Sequence, residues 1–351
     1  MNPAELSIDV CVMPQPRRIR GCDRARKTAM LNVIVNLREA LARRRQPLLL
    51  STLLALCLFA CPRAFAGDTT SQQTFDSPQA AVKALVTAAE ADDMNALRSI
   101  LGPDAEPILS SGDPVADKNA RDNFAAKYRE MHRIAYDDQG RVMLYLGSNN
   151  WPLPIPLIKK DGAWVFDTAS GKAELLFRRI GQNELYTIGV LKELARAQEE
   201  YANEVRDGGS LKQFAQKIQS DPGTQDGLYW AADDGEPESP IGPLVASATE
   251  QGYKRSSSGN PIPFHGYYYR ILTRQGAHAP GGAKNYLANG KMTRGFAFLA
   301  VPAQYRSSGV MTFMINQDGV IVQKNLGANT DQIASEITEF NPDKTWDQVI
   351  E

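Results

Sequence analysis

The chain has 351 residues, with 39 Lys+Arg against 40 Asp+Glu, 43% hydrophobic and 8% aromatic residues. That length suits about two domains and a sizeable core. The formal charge of -1, the 23% charged share and a mean hydropathy of -0.35 exclude a broadly basic nucleic-acid binder, a polytopic membrane protein and a wholly disordered chain.

Residues 1–66 read as a removed signal peptide with an over-extended N-terminus. Arg43, Arg44 and Arg45 precede an apolar run from Pro47 to Cys61, which is followed by Ala64-Phe65-Ala66. A basic patch, a short apolar core and an A-x-A end are the three parts of a secretory signal. The run is shorter than the roughly 20 residues a spanning helix takes. Cleavage is expected between Ala66 and Gly67, and Met30 is a second candidate start. The alternative is lipidation at Cys61, because Leu58-Phe59-Ala60-Cys61 has the outline of a lipobox. The expected location is the periplasm, or outside the cell, of a Gram-negative bacterium.

Processing changes the arithmetic. Residues 1–66 carry 11 of the basic and 4 of the acidic side chains, which leaves the rest with a net charge of -8. That balance disfavours nucleic acid and anionic lipid surfaces as partners. Cys11, Cys22, Cys57 and Cys61 all lie in the removed part. The processed chain therefore has no disulfide, no thiolate metal site and no Cys nucleophile.

Residues 67–75 read as a flexible tail, and 76–170 as an N-terminal α+β domain. Asp76 or Ser77 caps a first helix with Pro78 in its first turn. A second helix runs from Asp93 to Leu101 and stops at Gly102-Pro103. A loop follows to Asp117, then a third helix over Asn119–Met131. Strands are expected at Arg141–Leu146, Trp151–Ile158 and Ala163–Phe166, with Asp161-Gly162 as a hairpin. Pro152, Pro154 and Pro156 make the middle strand an edge or an irregular one.

Residues 171–351 read as a long helix followed by an antiparallel sheet. The helical spacing holds from Ala173 to Val205, with Gly181 as a candidate break. A short helix is expected at Leu211–Ile218 and an irregular loop at Asp226–Asn260. Four strands follow, at Gly266–Thr273, Gly295–Val301, Val310–Asn316 and Val320–Lys324, the last two joined by Asp318-Gly319. A short helix at Asp331–Thr338 and a docked end around Trp346 complete an α+β chain.

Several motifs carry a resemblance. They are Asn183-Glu184-Leu185, Ser220-Asp221-Pro222-Gly223, Gly227-Leu228-Tyr229-Trp230, Ser239-Pro240-Ile241-Gly242-Pro243, His265 through Leu272, Gly281-Gly282-Ala283, Asn316-Gln317-Asp318-Gly319-Val320 and Phe340-Asn341-Pro342-Asp343. Together they resemble the bacterial secreted family called domain of unknown function 2950. The resemblance covers about Phe75 to Trp346 and brings no activity with it. The N-terminal half also resembles a small cone of the nuclear-transport-factor type. The C-terminal half resembles the globular part of a type IV pilin or pseudopilin, though here the long helix is preceded by a whole domain. Both likenesses concern fold alone.

Chemistry-bearing residues are few. His132, His265 and His278 have no partners at metal-ligand spacing. There is no G-x-S-x-G, Walker A or dinucleotide fingerprint. A ligand or partner groove is expected from Trp230, His265, Tyr267, Tyr269 and Arg270, since Tyr267 and Tyr269 share one face of a strand. The competing reading is that this face is plain core. Asp226, Asp233, Asp234, Glu236 and Glu238 form the candidate calcium loop, as clustered carboxylates suit a hard cation. The pseudopilin likeness points the same way, and a solvated acidic turn is the other reading. No other cofactor is implied, and no catalytic residue is assigned.

The resulting expectation is a secreted cell-envelope protein that binds an envelope protein or cell-wall component and is not an enzyme. A periplasmic enzyme of hydrolase type and a calcium-stabilised module stay open as alternatives.

Overall fold

In the computed structural model, which describes residues 72–206, 209–232, 237–254 and 262–350, capped helices come first and a small antiparallel sheet closes over them. The expected signal, Ala66, Gly67 and Cys61 lie outside the described residues. Helix α1 (Pro78–Glu90) starts where Ser77 Oγ accepts the Ala80 N–H, and Pro78 sits at a position that needs no donor. Helix α2 (Met94–Leu101) is capped by the Asp93 carboxylate and ends at Gly102, φ 79°. The stretch expected as loop holds a 3-10 turn, Pro103–Ala105, and one turn of helix, α3 (Glu106–Leu109). Helix α4 (Pro114–Glu130) begins before the expected Asn119, because Asp113 caps it and Pro114 presets its first turn.

Strand β1 (His132–Tyr136) has no counterpart among the expected strands. It is an edge strand whose residues are exposed or half-buried, so it carries no clean alternation. It pairs with β2 (Val142–Leu146). The expected middle strand is split into β3 (Trp151–Pro152) and β4 (Leu157–Lys160), since proline offers no ladder donor. β4 turns into β5 (Ala163–Phe166) through Asp161 and Gly162, both at positive φ as a two-residue turn requires. The order is β1-β2-β4-β5, with β3 beside β2. Its buried residues Leu144, Leu157 and Phe166 meet Val82, Leu85, Leu97 and Ile100 from α1 and α2.

Helix α5 (Thr168–Ala202) runs 35 residues, capped by Asp167, and Gly181 does not break it. Its first turns belong to the first core. Thr168 Oγ1 donates to the Leu101 carbonyl at 2.7 Å. Gly171 lies so close to Pro154 and Ile155 that a Cβ there would fall 2.6 Å from the Pro154 carbonyl oxygen. Its later turns bury Val190, Leu191, Leu194, Ala197 and Tyr201 in a second core. The expected boundary at 170/171 thus falls inside the first turn of α5.

The expected helix at Leu211–Ile218 does not form. Buried Gln198 takes both the N–H and the carbonyl of Ala215, each at 2.8 Å, and Phe214 bridges to Met292. The backbone bonds a helix would use are already engaged. Strand β6 (Lys217–Gln219) instead pairs in parallel with β7 (Gly227–Tyr229). The stretch expected as irregular also contains α6 (Gly242–Glu250), which buries Leu244, Val245 and Ala248.

Strand β8 (Tyr267–Leu272) leads into two small ladders, β9 (Arg274–Gln275) with β10 (Lys284–Asn285) and β11 (Leu287–Ala288) with β12 (Lys291–Met292). Then come β13 (Ala297–Pro302), β14 (Met311–Asn316), β15 (Ile321–Asn325), helix α7 (Thr330–Glu336) and β16 (Asp347–Gln348). The sheet is β16-β15-β14-β13-β8, antiparallel throughout, with β16 as a fifth strand too short to read from sequence. The fold is mixed α+β. No helix among the described residues is long and apolar enough to cross a membrane.

Candidate functional site

The tyrosine face of β8 points inward. Tyr267 and Tyr269 are fully buried, and each hydroxyl has a protein partner: Tyr267 Oη donates to the Met311 carbonyl at 2.9 Å, and Tyr269 Oη meets Thr187 Oγ1 at 3.2 Å. Burial pushes both phenol pKa values well above the ordinary range. Arg270 is buried on the other face, where Nη2 donates to the Ala334 and Ile337 carbonyls and so ties down the end of α7. Burial lowers its pKa. Trp230 joins the same core as the tyrosines, donates from Nε1 to the Pro237 carbonyl at 3.2 Å, and carries the Arg206 guanidinium 4.8 Å from its ring centroid.

His265 lies where the two halves of the chain meet. It sits at φ 48°, with its ring stacked on Tyr186 at 4.3 Å and edge-on to Phe264 at 4.2 Å. Burial lowers its pKa to about 4, and its buried Nε2 has no protein partner. Beside it, the fully buried Asp113 accepts the Tyr253 hydroxyl and the Gly266 N–H, each at 2.9 Å, and caps α4 through the Ala116 N–H. Burial raises the Asp113 pKa, and these donors offset part of the rise. Gly266, at φ 76°, has no room for a side chain: a Cβ would lie 2.6 Å from Asn183 Nδ2. Asn183 and Glu184 explain their motif. Asn183 Nδ2 donates to the Ser308 carbonyl at 2.8 Å, and Glu184 Oε1 accepts the Val310 and Met311 N–H groups at 2.9 Å each. They pin the turn before β14 to the long helix.

In the acidic loop, Asp233, Asp234 and Glu236 lie outside the described residues. Asp226 is paired with Lys217 and also accepts the Asp221 N–H at 2.9 Å and Thr224 Oγ1 at 2.7 Å. Burial raises its pKa, but these donors outweigh that and leave it lowered. Glu238 is exposed. Of the other histidines, His132 stacks on Tyr128 at 3.7 Å, and the His278 N–H donates to Asn341 Oδ1 at 2.8 Å.

A cleft of about 380 Å³ opens between the second sheet, α7 and the C-terminal segment. That is the volume range of small-ligand sites. Met314, Leu326, Ile333 and Ile337 supply apolar lining, and Trp346 adds an aromatic wall. Two cations, Arg274 and Lys324, and two acids, Glu336 and Glu339, line it with Thr338 and Asn341. Arg274 donates to Thr338 Oγ1 at 2.7 Å and lies 3.5 Å from Glu339. Lys324 Nζ donates to Thr345 Oγ1 at 2.6 Å and stands 5.9 Å from the Trp346 ring centroid. These residues come from β9, β14, β15, α7 and the C-terminal segment, with no spacing rule to link them. The sequence places Trp346 as a docked end but gives no sign of the cleft.

The fold and this cleft define a mixed α+β protein with a charged, aromatic-walled recess between its second five-stranded sheet, α7 and the C-terminal segment. The chain belongs to the family described as a protein of unknown function, DUF2950, which matches residues 72–349. No curated protein and no solved structure matches the chain.

Proposed function

We propose that this is a secreted cell-envelope protein that acts by binding, and that the cleft beside Trp346 receives a zwitterionic cell-wall component. The cleft carries the reading. Arg274 and Lys324 suit carboxylates, Glu336 and Glu339 suit amines, and the Trp346 ring offers a flat apolar surface between them. The peptide stems of a cell wall present both charges on a short, partly apolar backbone. The basic, apolar and small-residue segments between Arg43 and Ala66 support export, with release after Ala66 or lipid attachment at Cys61 as the two routes.

The test is co-sedimentation of the chain starting at Gly67 with purified cell-wall sacculi. The expected result is a saturable pelleted fraction that falls roughly tenfold in affinity when Arg274→Ser and Lys324→Ser are combined. Arg274 is exposed and Lys324 is half-buried with its ammonium on Thr345, so folding should survive, and circular dichroism checks it. Absence of binding, or binding indifferent to the double substitution, contradicts the reading.

A further inference from the structure

The four charges that line the cleft are not all answered within the protein. Arg274 and Glu339 lie 3.5 Å apart and answer each other. Lys324 is held in place by the Thr345 hydroxyl at 2.6 Å, and that hydroxyl in turn donates to Asp343 Oδ1. Among the described residues Lys324 has no ion pair, and Glu336 has neither an ion pair nor a hydrogen bond to its side chain. Glu336 is also the last residue of α7, the end at which a helix disfavours an acid. Arg270 fixes that turn from below through the Ala334 and Ile337 carbonyls, so Glu336 is presented on an anchored backbone.

An acid without a partner and an ammonium without a carboxylate thus share one recess, beside apolar Met314, Ile333 and Ile337. A ligand bearing only carboxylates is drawn to Lys324 and then meets the like charge of Glu336. A ligand that also carries an ammonium satisfies both.

Given the cleft as the site of cell-wall binding proposed above, on which this inference rests, these two charges decide which stem fits. A stem joined to its glycan through its N-terminus keeps no amine there. Its remaining ammonium is on the side chain of a diamino residue, and a cross-link turns that ammonium into a neutral amide. We infer that the cleft selects stems whose diamino residue is not cross-linked, with Lys324 on a stem carboxylate and Glu336 on the side-chain ammonium.

The test uses the chain starting at Gly67 and sacculi with diamino stems, either untreated or acylated with acetic anhydride. Acylation converts the side-chain ammonium into an amide and leaves the carboxylates. Co-sedimentation is measured in roughly 0.3 M salt, which screens the net charges of chain and wall. Acylation should weaken binding of the wild type about tenfold. Glu336→Gln should bind untreated sacculi more weakly and should bind the two preparations within about twofold of each other, which a general repulsion between acidic partners would not produce. Lys324→Ser should weaken binding to both preparations. Equal binding of the wild type to the two preparations, or full discrimination retained by Glu336→Gln, would overturn the selection for free amines. If Lys324→Ser still weakened binding in that case, the cleft would stand as the wall-binding site. Binding to neither preparation would overturn both readings.

Discussion

His265 and Gly266 hold adjacent positive φ angles of 48° and 76°, and the chain there is fixed from several sides. Asp113 takes the Gly266 N–H, Asn183 closes the space beside it, and Tyr186 covers the imidazole. Burial gives His265 a folded-state pKa of about 4 against an ordinary 6.5. As pH falls below 6.5 the unfolded chain takes up a proton first. The stability linked to this group is therefore intact above 6.5 and is lost progressively toward 4, up to about 3 kcal/mol. Asp113 runs the other way, because its raised pKa favours the folded chain as the carboxyl protonates. Substitution His265→Asn, which tolerates the left-handed backbone, should flatten the acid side of the urea-stability profile. A variant whose midpoint falls between pH 7 and pH 4.5 as steeply as the wild type would contradict this. The sequence shows His265 next to glycine and three tyrosines. It does not show that Tyr267 and Tyr269 face inward with their hydroxyls satisfied, because alternation along a strand does not say which face is core.

Elements with local signals are legible. Ser77-Pro78, Asp93 and Asp113-Pro114 are cap sequences, and each starts a helix in the structure, although the last is hidden in a loop-like composition. Asp161-Gly162 and Asp318-Gly319 mark their turns, and four of the five strands of the second sheet lie within two residues of expectation. The departures are decided by distant partners. Leu211–Ile218 has helical spacing, yet Gln198 claims the backbone of Ala215 from 17 residues away. Gln198→Ala would leave that buried amide and carbonyl without partners, at a cost of roughly 2–3 kcal/mol. Chemical denaturation should register the loss; a change under about 0.5 kcal/mol, the size of a neutral surface substitution, would mean the segment holds itself. The cleft is invisible in the sequence for the same reason, since its walls come from five places in the chain and no two share a diagnostic interval.

Across the molecule, the long helix joins two apolar clusters, one built by elements up to Phe166 and one from Val190 onward. Both clusters belong to one compact unit that contains every described residue. Residues 67–351 carry a net charge of -8 and no cysteine, so the stability of this part rests on the two apolar cores and not on disulfides. The central claim, a processed protein of the cell envelope, is tested most directly by intact-mass measurement of the native chain after cell fractionation. The account predicts a polypeptide beginning at Gly67, recovered with the periplasmic contents. A chain that retains the residues before Gly67 without lipid at Cys61 and is recovered with the cytosol would contradict it.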